Sequence, residues 1–213
     1  MKLCVFGATG QTGKPFIKNA LESKYKLNAL VRDQNKLDNQ LFDSVKVVQG
    51  DILNSDKVEE VIKGCDAVIS LIGHTKDSDA RMQTKGIENI IQAMKKHKVD
   101  RLISLTGAGV SSEGDQPKFI DKAVKFAMGL FAKDILQDGI EHAELIKKTN
   151  INWTIVRAPM LNNDDPKGEY VIGKVGDSKL DIKISRNDLA RAILDMIDDK
   201  STYGQMPVVA WGK

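Results

Sequence analysis

Short apolar runs alternate with helical stretches along the chain, and that alternation leaves few folds open. Residues 3–6, 27–31, 45–48, 67–72, 102–105 and 153–156 read as strands. Between them, residues 14–22, 56–63, 80–96 and a stretch ending at 143–148 read as helices. In 80–96 the apolar positions Met82, Ile87, Ile90, Ile91 and Met94 are spaced for one helix face. The strands are mostly apolar without strict alternation, as a parallel sheet covered on both faces requires. Repeated strand–helix–strand units impose right-handed crossovers and a doubly wound α/β sheet with helices on both faces. In such sheets ligands bind beyond the carboxyl ends of the strands, where strand order reverses. The informative residues therefore stand just after each strand.

Composition adds exclusions. The 213 residues suit one domain, expected over 1–213. Thirty-two Lys and Arg against 29 Asp and Glu leave a net charge of +3, spread along the chain. That does not advertise a nucleic-acid or membrane partner. The apolar run at 126–132 is far short of the ~20 residues of a spanning helix. Met1 and Lys2 lead straight into a strand, which does not read as a signal peptide. Cys4 and Cys65 both read as strand residues and as reduced thiols of a cytoplasmic protein. No Cys/His cluster has metal-ligand spacing, so no metal is expected.

The first strand runs into Gly7-Ala8-Thr9-Gly10-Gln11-Thr12-Gly13, and a helix follows. A turn this tight needs glycine, and so does the approach of a pyrophosphate to bare backbone. The helix N-terminus offers free N–H groups and a positive dipole end, and Thr9 and Thr12 add hydroxyls. Strand, glycine turn and helix in that order are the context of a dinucleotide fingerprint.

The spacing is Gly-x-x-Gly-x-x-Gly, with Thr9 where the common fingerprint has its second glycine. Together with Leu30-Val31-Arg32-Asp33, Gly50-Asp51, Trp153-Thr154-Ile155-Val156-Arg157-Ala158-Pro159 and Ile184-Ser185-Arg186-Asn187-Asp188-Leu189-Ala190, the turn resembles the atypical short-chain dehydrogenase/reductases. Within that group the resemblance is to the NmrA-like, NAD(P)H-binding proteins and their biliverdin reductase B type flavin reductase relatives. It covers nearly the whole chain and implies a Rossmann-type fold.

The end of the second strand reads the adenosine ribose: an acid selects NAD, an arginine accommodates the 2′-phosphate of NADP. Arg32 stands there, with Lys36 nearby, so NADP(H) is expected over NAD(H). Asp33 complicates the reading, because a one-residue shift would offer a carboxylate to the ribose. The resemblance implies that Asp51 bonds the adenine amino group and Ile52 packs on its ring. The plainer alternative is a helix start capped by Asn54 or Ser55. Leu71, Ile72 and Gly73 are expected along the adenosine side, and Ala158 and Pro159 also belong to the expected cofactor site.

The chemistry is harder to place. Short-chain reductases carry a Ser or Thr after the fifth strand and Tyr-x-x-x-Lys on the next helix. Here Thr106 is the candidate, but the position credited with catalysis in the family falls on Gly107. A strand-end Thr satisfying backbone is the plainer reading of Thr106. No Tyr lies between residues 117 and 150. Tyr170-Val171-Ile172-Gly173-Lys174 matches the pattern literally, but in a β-like run its ends sit about 13 Å apart. His74 and Met160 are substrate-side candidates, with a roleless surface histidine the alternative for His74. Lys133, Asp138 and His142 read as solvated helix charges. Substrate-side elements are expected mainly in 107–140 and 160–182. Within 117–136, Ile120, Val124, Ala127, Leu130, Phe131 and Ile135 recur near helical spacing, with Phe126 and Met128 beside them. They read as a core-packing helix, or else as a lid or partner surface.

Two functions fit. One is an NADP(H)-dependent reductase of a small conjugated acceptor, with the proton drawn from solvent as the biliverdin reductase B resemblance implies. The other is a non-catalytic NADP(H)-binding regulator of the NmrA type with a protein partner.

Overall fold

The computed structural model describes residues 1–36, 44–75 and 78–213, with the backbone alone at positions 120, 124, 125, 128 and 131. Six strands form the core of the expected doubly wound sheet: β1 (Lys2–Phe6), β2 (Lys26–Val31), β3 (Val45–Gln49), β4 (Ala67–Ser70), β5 (Arg101–Gly107) and β6 (Asn152–Ala158). Their order is β3-β2-β1-β4-β5-β6, all parallel. The order reverses between β1 and β4, which sets the ligand crevice at the carboxyl ends of those strands.

Both faces of the strands are apolar because both are covered. Leu3 and Val5 of β1 join one core, with Phe16 and Ile17 from helix α1 (Gly13–Glu22) and Leu189 and Ile193 from a C-terminal helix. Cys4 and Phe6 join the other. That second core holds Val58 and Val61 of α2 (Ser55–Ile62) and Ile87, Ile90 and Met94 of α3 (Met82–His97). Asn54 caps α2, its side chain accepting from the backbone N–H of Asp56 and Lys57.

Several elements differ from the sequence reading. Cys65 precedes β4 rather than lying in it, though it and Cys4 are free thiols and buried. The stretch after β5 holds two helices, α4 (Phe119–Phe131) and α5 (Lys133–Lys147). Exposure of Phe119 (87%), Phe126 (70%) and Leu130 (63%) overturns the core-packing reading of α4 at those positions. Ile120, Val124, Met128 and Phe131 of the same stripe lie outside the described side chains. Further elements are β7 (Met160–Asn162), β8 (Val171–Gly173), β9 (Lys183–Ser185), α6 (Arg186–Asp195) and β10 (Val208–Ala210). β10 extends the sheet parallel to β6, and β8 closes the edge antiparallel to β10. β7 and β9 pair separately.

Buried polar hubs tie these late segments down. Asp188 accepts from the backbone N–H of Lys167 and Gly168, from Ser185 Oγ and from Trp211 Nε1. Asp115 takes both arms of the buried Arg157 guanidinium, at 2.6 and 2.9 Å, and the N–H of Ser112 and Val175. Burial alone would raise the Asp115 carboxyl; Arg157 and these N–H groups outweigh it and lower it. The two hubs fix the loops around the carboxyl end of β6.

Candidate functional site

The glycine turn leaves β1 at Gly7, which has φ +82°. A Cβ on Gly7 would stand 2.7 Å from Leu71 O, and one on Gly13 would overlap Gly7 O. Both glycines are therefore demanded by packing. Gly10 is not: it is exposed, and a Cβ there would approach only Gly7 O, at 3.1 Å. Its bare surface leaves open the approach to the start of α1. Thr12 stands at the N-cap of α1 without a side-chain capping bond, and no acid occupies the first turn. The turn thus keeps the open, uncapped helix start that a pyrophosphate requires.

Beside this turn, Arg32 at the end of β2 is exposed, and its guanidinium has no partner among the described residues. Asp33 is engaged: its Oδ1 accepts from Asn35 N at 3.0 Å. Asp51 accepts from Leu53 N at 2.9 Å. Ile52 is buried against α3, where a Cβ on Gly86 would come within 2.9 Å of its side chain. Leu71 is buried, with its backbone against Gly7. Thr9 is half-buried and Gln11 exposed on the turn itself.

A cleft of about 220 Å³ opens at the carboxyl ends of β4, β5 and β6. Ile72, Gly73, His74, Thr106, Ala158 and Pro159 from the sequence reading come together in its wall. Met160 does not: it is exposed outside, and Leu161 lines the cleft instead. Leu105, Val110, Ile135 and Leu136 make the wall largely apolar; Ile135 belongs to the stripe read as a core-packing helix or a lid, Val110, Ile135 and Leu136 fall in the expected substrate-side range, and the polar Gln83 is the residue the sequence reading did not single out. Gln83 arrives on α3 and Ile135 and Leu136 on α5, whereas Leu105 and Val110 stand in and just after β5.

Thr106 is buried in the wall, and its hydroxyl has no partner among the described residues. The next residue, Gly107, could carry a side chain, since a Cβ there meets nothing within 4 Å. None of the three tyrosines lines the cleft. Tyr170 donates to Asp195 Oδ2 at 3.0 Å, whereas Lys174 Nζ donates to Glu113 O at 3.1 Å, so the literal Tyr-x-x-x-Lys match is split between two partners.

Asp138 and His142 correct the sequence reading, for both are buried. They face inward because α5 lies against β5. Gly139 permits the approach: a Cβ there would come 3.1 Å from Thr106 Oγ1. Asp138 accepts from Gln83 N at 2.8 Å and Thr84 N at 2.9 Å, capping α3 from another element. It also pairs with His74 Nε2 at 2.8 Å. His142 Nε2 meets Ser104 Oγ at 2.8 Å, and its Nδ1 is buried without a partner among the described residues. Burial pushes the His142 imidazole down to about 4, against a small opposing pull from Asp138.

A family model described as NAD(P)H-binding matches residues 7–200, which takes in the glycine turn and the whole cleft. The chain belongs to this NAD(P)H-binding family. Among curated relatives, an uncharacterised chloroplastic protein of Arabidopsis thaliana is 29% identical, covering 98% of this chain and 76% of its own length. An isoflavone reductase homolog of Nicotiana tabacum is 24% identical over 96% of this chain and 66% of its own. Among solved structures, a short-chain dehydrogenase/reductase of Veillonella parvula in complex with NADP superposes with a TM-score of 0.83 at 20% identity, covering 98% of this chain and 94% of that one. The anaerobilin reductase ChuY of Escherichia coli O157:H7 gives 0.80 at 16%, covering 99% and 97%. These structures share the Rossmann fold. Among the described residues no helix is long and apolar enough to cross a membrane.

Proposed function

We propose that this NAD(P)H-binding family member is a reductase that prefers NADP(H) over NAD(H) and transfers hydride to a small conjugated acceptor such as a flavin or quinone. The observation that carries the reading is a largely apolar cleft next to an open glycine turn, with Thr106 in its wall and no hydrogen bond to its hydroxyl among the described residues. Reductases among the relatives support the reaction class. The exposed Arg32 guanidinium, without a partner among the described residues, beside an engaged Asp33 supports the cofactor preference.

When bound, NADPH supplies the hydride. The residues of the chain hold and orient. Gly10 and the uncapped start of α1 receive the pyrophosphate, and Arg32 receives the 2′-phosphate. Ile72, Leu105, Ala158 and Pro159 exclude water and favour a flat apolar ring. Thr106 offers one hydroxyl to the acceptor or the carboxamide. The enzyme works on a small molecule in the cytoplasm, without nucleic acid or membrane.

The deciding experiment follows NADPH oxidation against a panel of flavins, quinones and aldehydes. Turnover with conjugated acceptors and poor turnover with simple aldehydes is expected. Tight NADPH binding without turnover on any acceptor would favour the regulator with a protein partner.

A further inference from the structure

We infer that His74, held by the buried carboxylate of Asp138, is the proton donor of the cleft and replaces the tyrosine acid that this chain lacks. The inference rests on the reductase reading above and names the group that finishes the reaction on an oxygen-bearing conjugated acceptor, a quinone or an enone.

His74 follows Gly73 directly beyond β4, and its ring lies in the wall of the same cleft as Thr106. Its side chain keeps only 10% of its surface exposed, and that of Asp138 keeps none. The carboxylate has already met the two backbone N–H groups of α3 that a helix cap needs. Its third bond, to His74 Nε2 at 2.8 Å, adds nothing to the cap but fixes the ring. On the other side, Ser78 Oγ lies 3.3 Å from His74 Nδ1. The single proton of that hydroxyl goes to Thr75 O at 2.8 Å, so Ser78 offers the ring a lone pair. Both neighbours of the ring therefore offer it lone pairs, Asp138 to Nε2 and Ser78 to Nδ1. Nε2–H is committed to the carboxylate. Nδ1–H has only the long contact to Ser78 and is the proton free to be handed over.

The nearby charges do not compete for it. Lys85 is paired with Asp79 at 2.6 Å and Arg81 with Glu141 at 2.7 Å, each on the exposed side of the α3 start. His142 is buried one turn along α5 and bound to Ser104.

The step balances as follows. A hydride reaches the conjugated carbon, and the π pair of the acceptor shifts onto its oxygen. That oxygen forms an O–H bond with the Nδ1 proton, and the ring is left neutral. The acceptor is reduced by two electrons and NADPH, the reductant, is oxidised to NADP⁺. Solvent at the half-buried Ser78 edge returns the proton. Asp138 touches no reacting atom and is a positioning residue.

The test compares the parent chain with His74→Gln and His74→Gly. NADPH affinity, measured by fluorescence titration, should be the same in all three. With menadione or a cyclic enone, His74→Gln should lower kcat on the order of 10²–10³-fold with little change in KM, within the range for a positioned acid. Added imidazole should restore part of the rate in His74→Gly, which a merely structural role would not allow. In ¹⁵N-histidine spectra at the assay pH, the His74 ring should carry protons on both nitrogens, and Asp138→Asn should abolish this signature. Parent turnover that His74→Gln leaves intact, or a neutral His74 ring, would overturn the assignment while leaving the reductase reading standing. NADPH binding with no turnover of any acceptor by the parent would remove both.

Discussion

Arg32 and Asp33 are adjacent, and the backbone gives them different tasks. Asp33 turns back to accept from Asn35 N and is spent locally. Arg32 projects from the end of β2 with nothing to hold among the described residues. The sequence alone left the two in competition, because one residue of slack would exchange them. Arg32→Ala should therefore weaken NADPH binding by roughly 1–3 kcal/mol, the scale of a charge-assisted contact, and leave NADH nearly untouched. Titration of parent and variant with both cofactors checks this, and equal parent affinities would contradict it. Tyr170 supplies a second residue-scale expectation. Burial, together with its bond to Asp195, pushes its hydroxyl up to about 12. So held, and outside the cleft, Tyr170 is a poor proton donor to a bound acceptor, so Tyr170→Phe should keep the rate within a few-fold of the parent.

At the scale of elements, the glycine turn was legible because its spacing has a backbone cause. The three glycines are not equivalent, however. Gly7 and Gly13 are demanded by neighbouring backbone, whereas Gly10 is exposed and a Cβ there would meet only Gly7 O, at 3.1 Å. Gly10→Val should therefore leave the thermal midpoint within a few degrees and abolish NADPH binding, whereas Gly13→Ala should fold poorly. Circular dichroism melts beside cofactor titrations separate these outcomes; a well-folded Gly10→Val chain that still binds would show that the pyrophosphate lies elsewhere. Helix α5 was less legible. Asp138 and His142 look like surface charges in a polar sequence, and only the approach of α5 to β5 through Gly139 makes them buried. Gln83 of α3 and Leu136 of α5 were hidden for the same reason: they join one wall only when two distant elements meet.

For the whole molecule, the six parallel strands were readable because a sheet covered on both faces writes apolar runs into the sequence. The C-terminal third was not. Strands β7 to β10 have three residues each, too short for periodicity, and β10 joins β6 across some fifty positions of chain. What anchors that region is buried polar bonding: Arg101 in β5 donates to the carbonyls of Met196 and Ile197 and to Thr154 and Thr202. Buried polar groups of this kind tie global stability to pH, and His142 sets the clearest window. Its ordinary value of 6.5 falls to about 4 in the fold, so the unfolded chain takes up a proton over that interval and the native chain does not. Stability is then complete above 6.5 and is lost as pH falls from 6.5 towards 4. At about 1.4 kcal/mol per unit the loss comes to about 3 kcal/mol. Asp115 and Asp188, whose carboxyls are lowered from 3.8, add their own losses only at lower pH. His142→Gln keeps a polar partner for Ser104 but cannot take the proton. Urea melts of parent and His142→Gln at pH 7 and pH 4.5 should show the parent losing about 2–3 kcal/mol more than the variant across that interval, and parallel losses would place the acid sensitivity of the fold in another group.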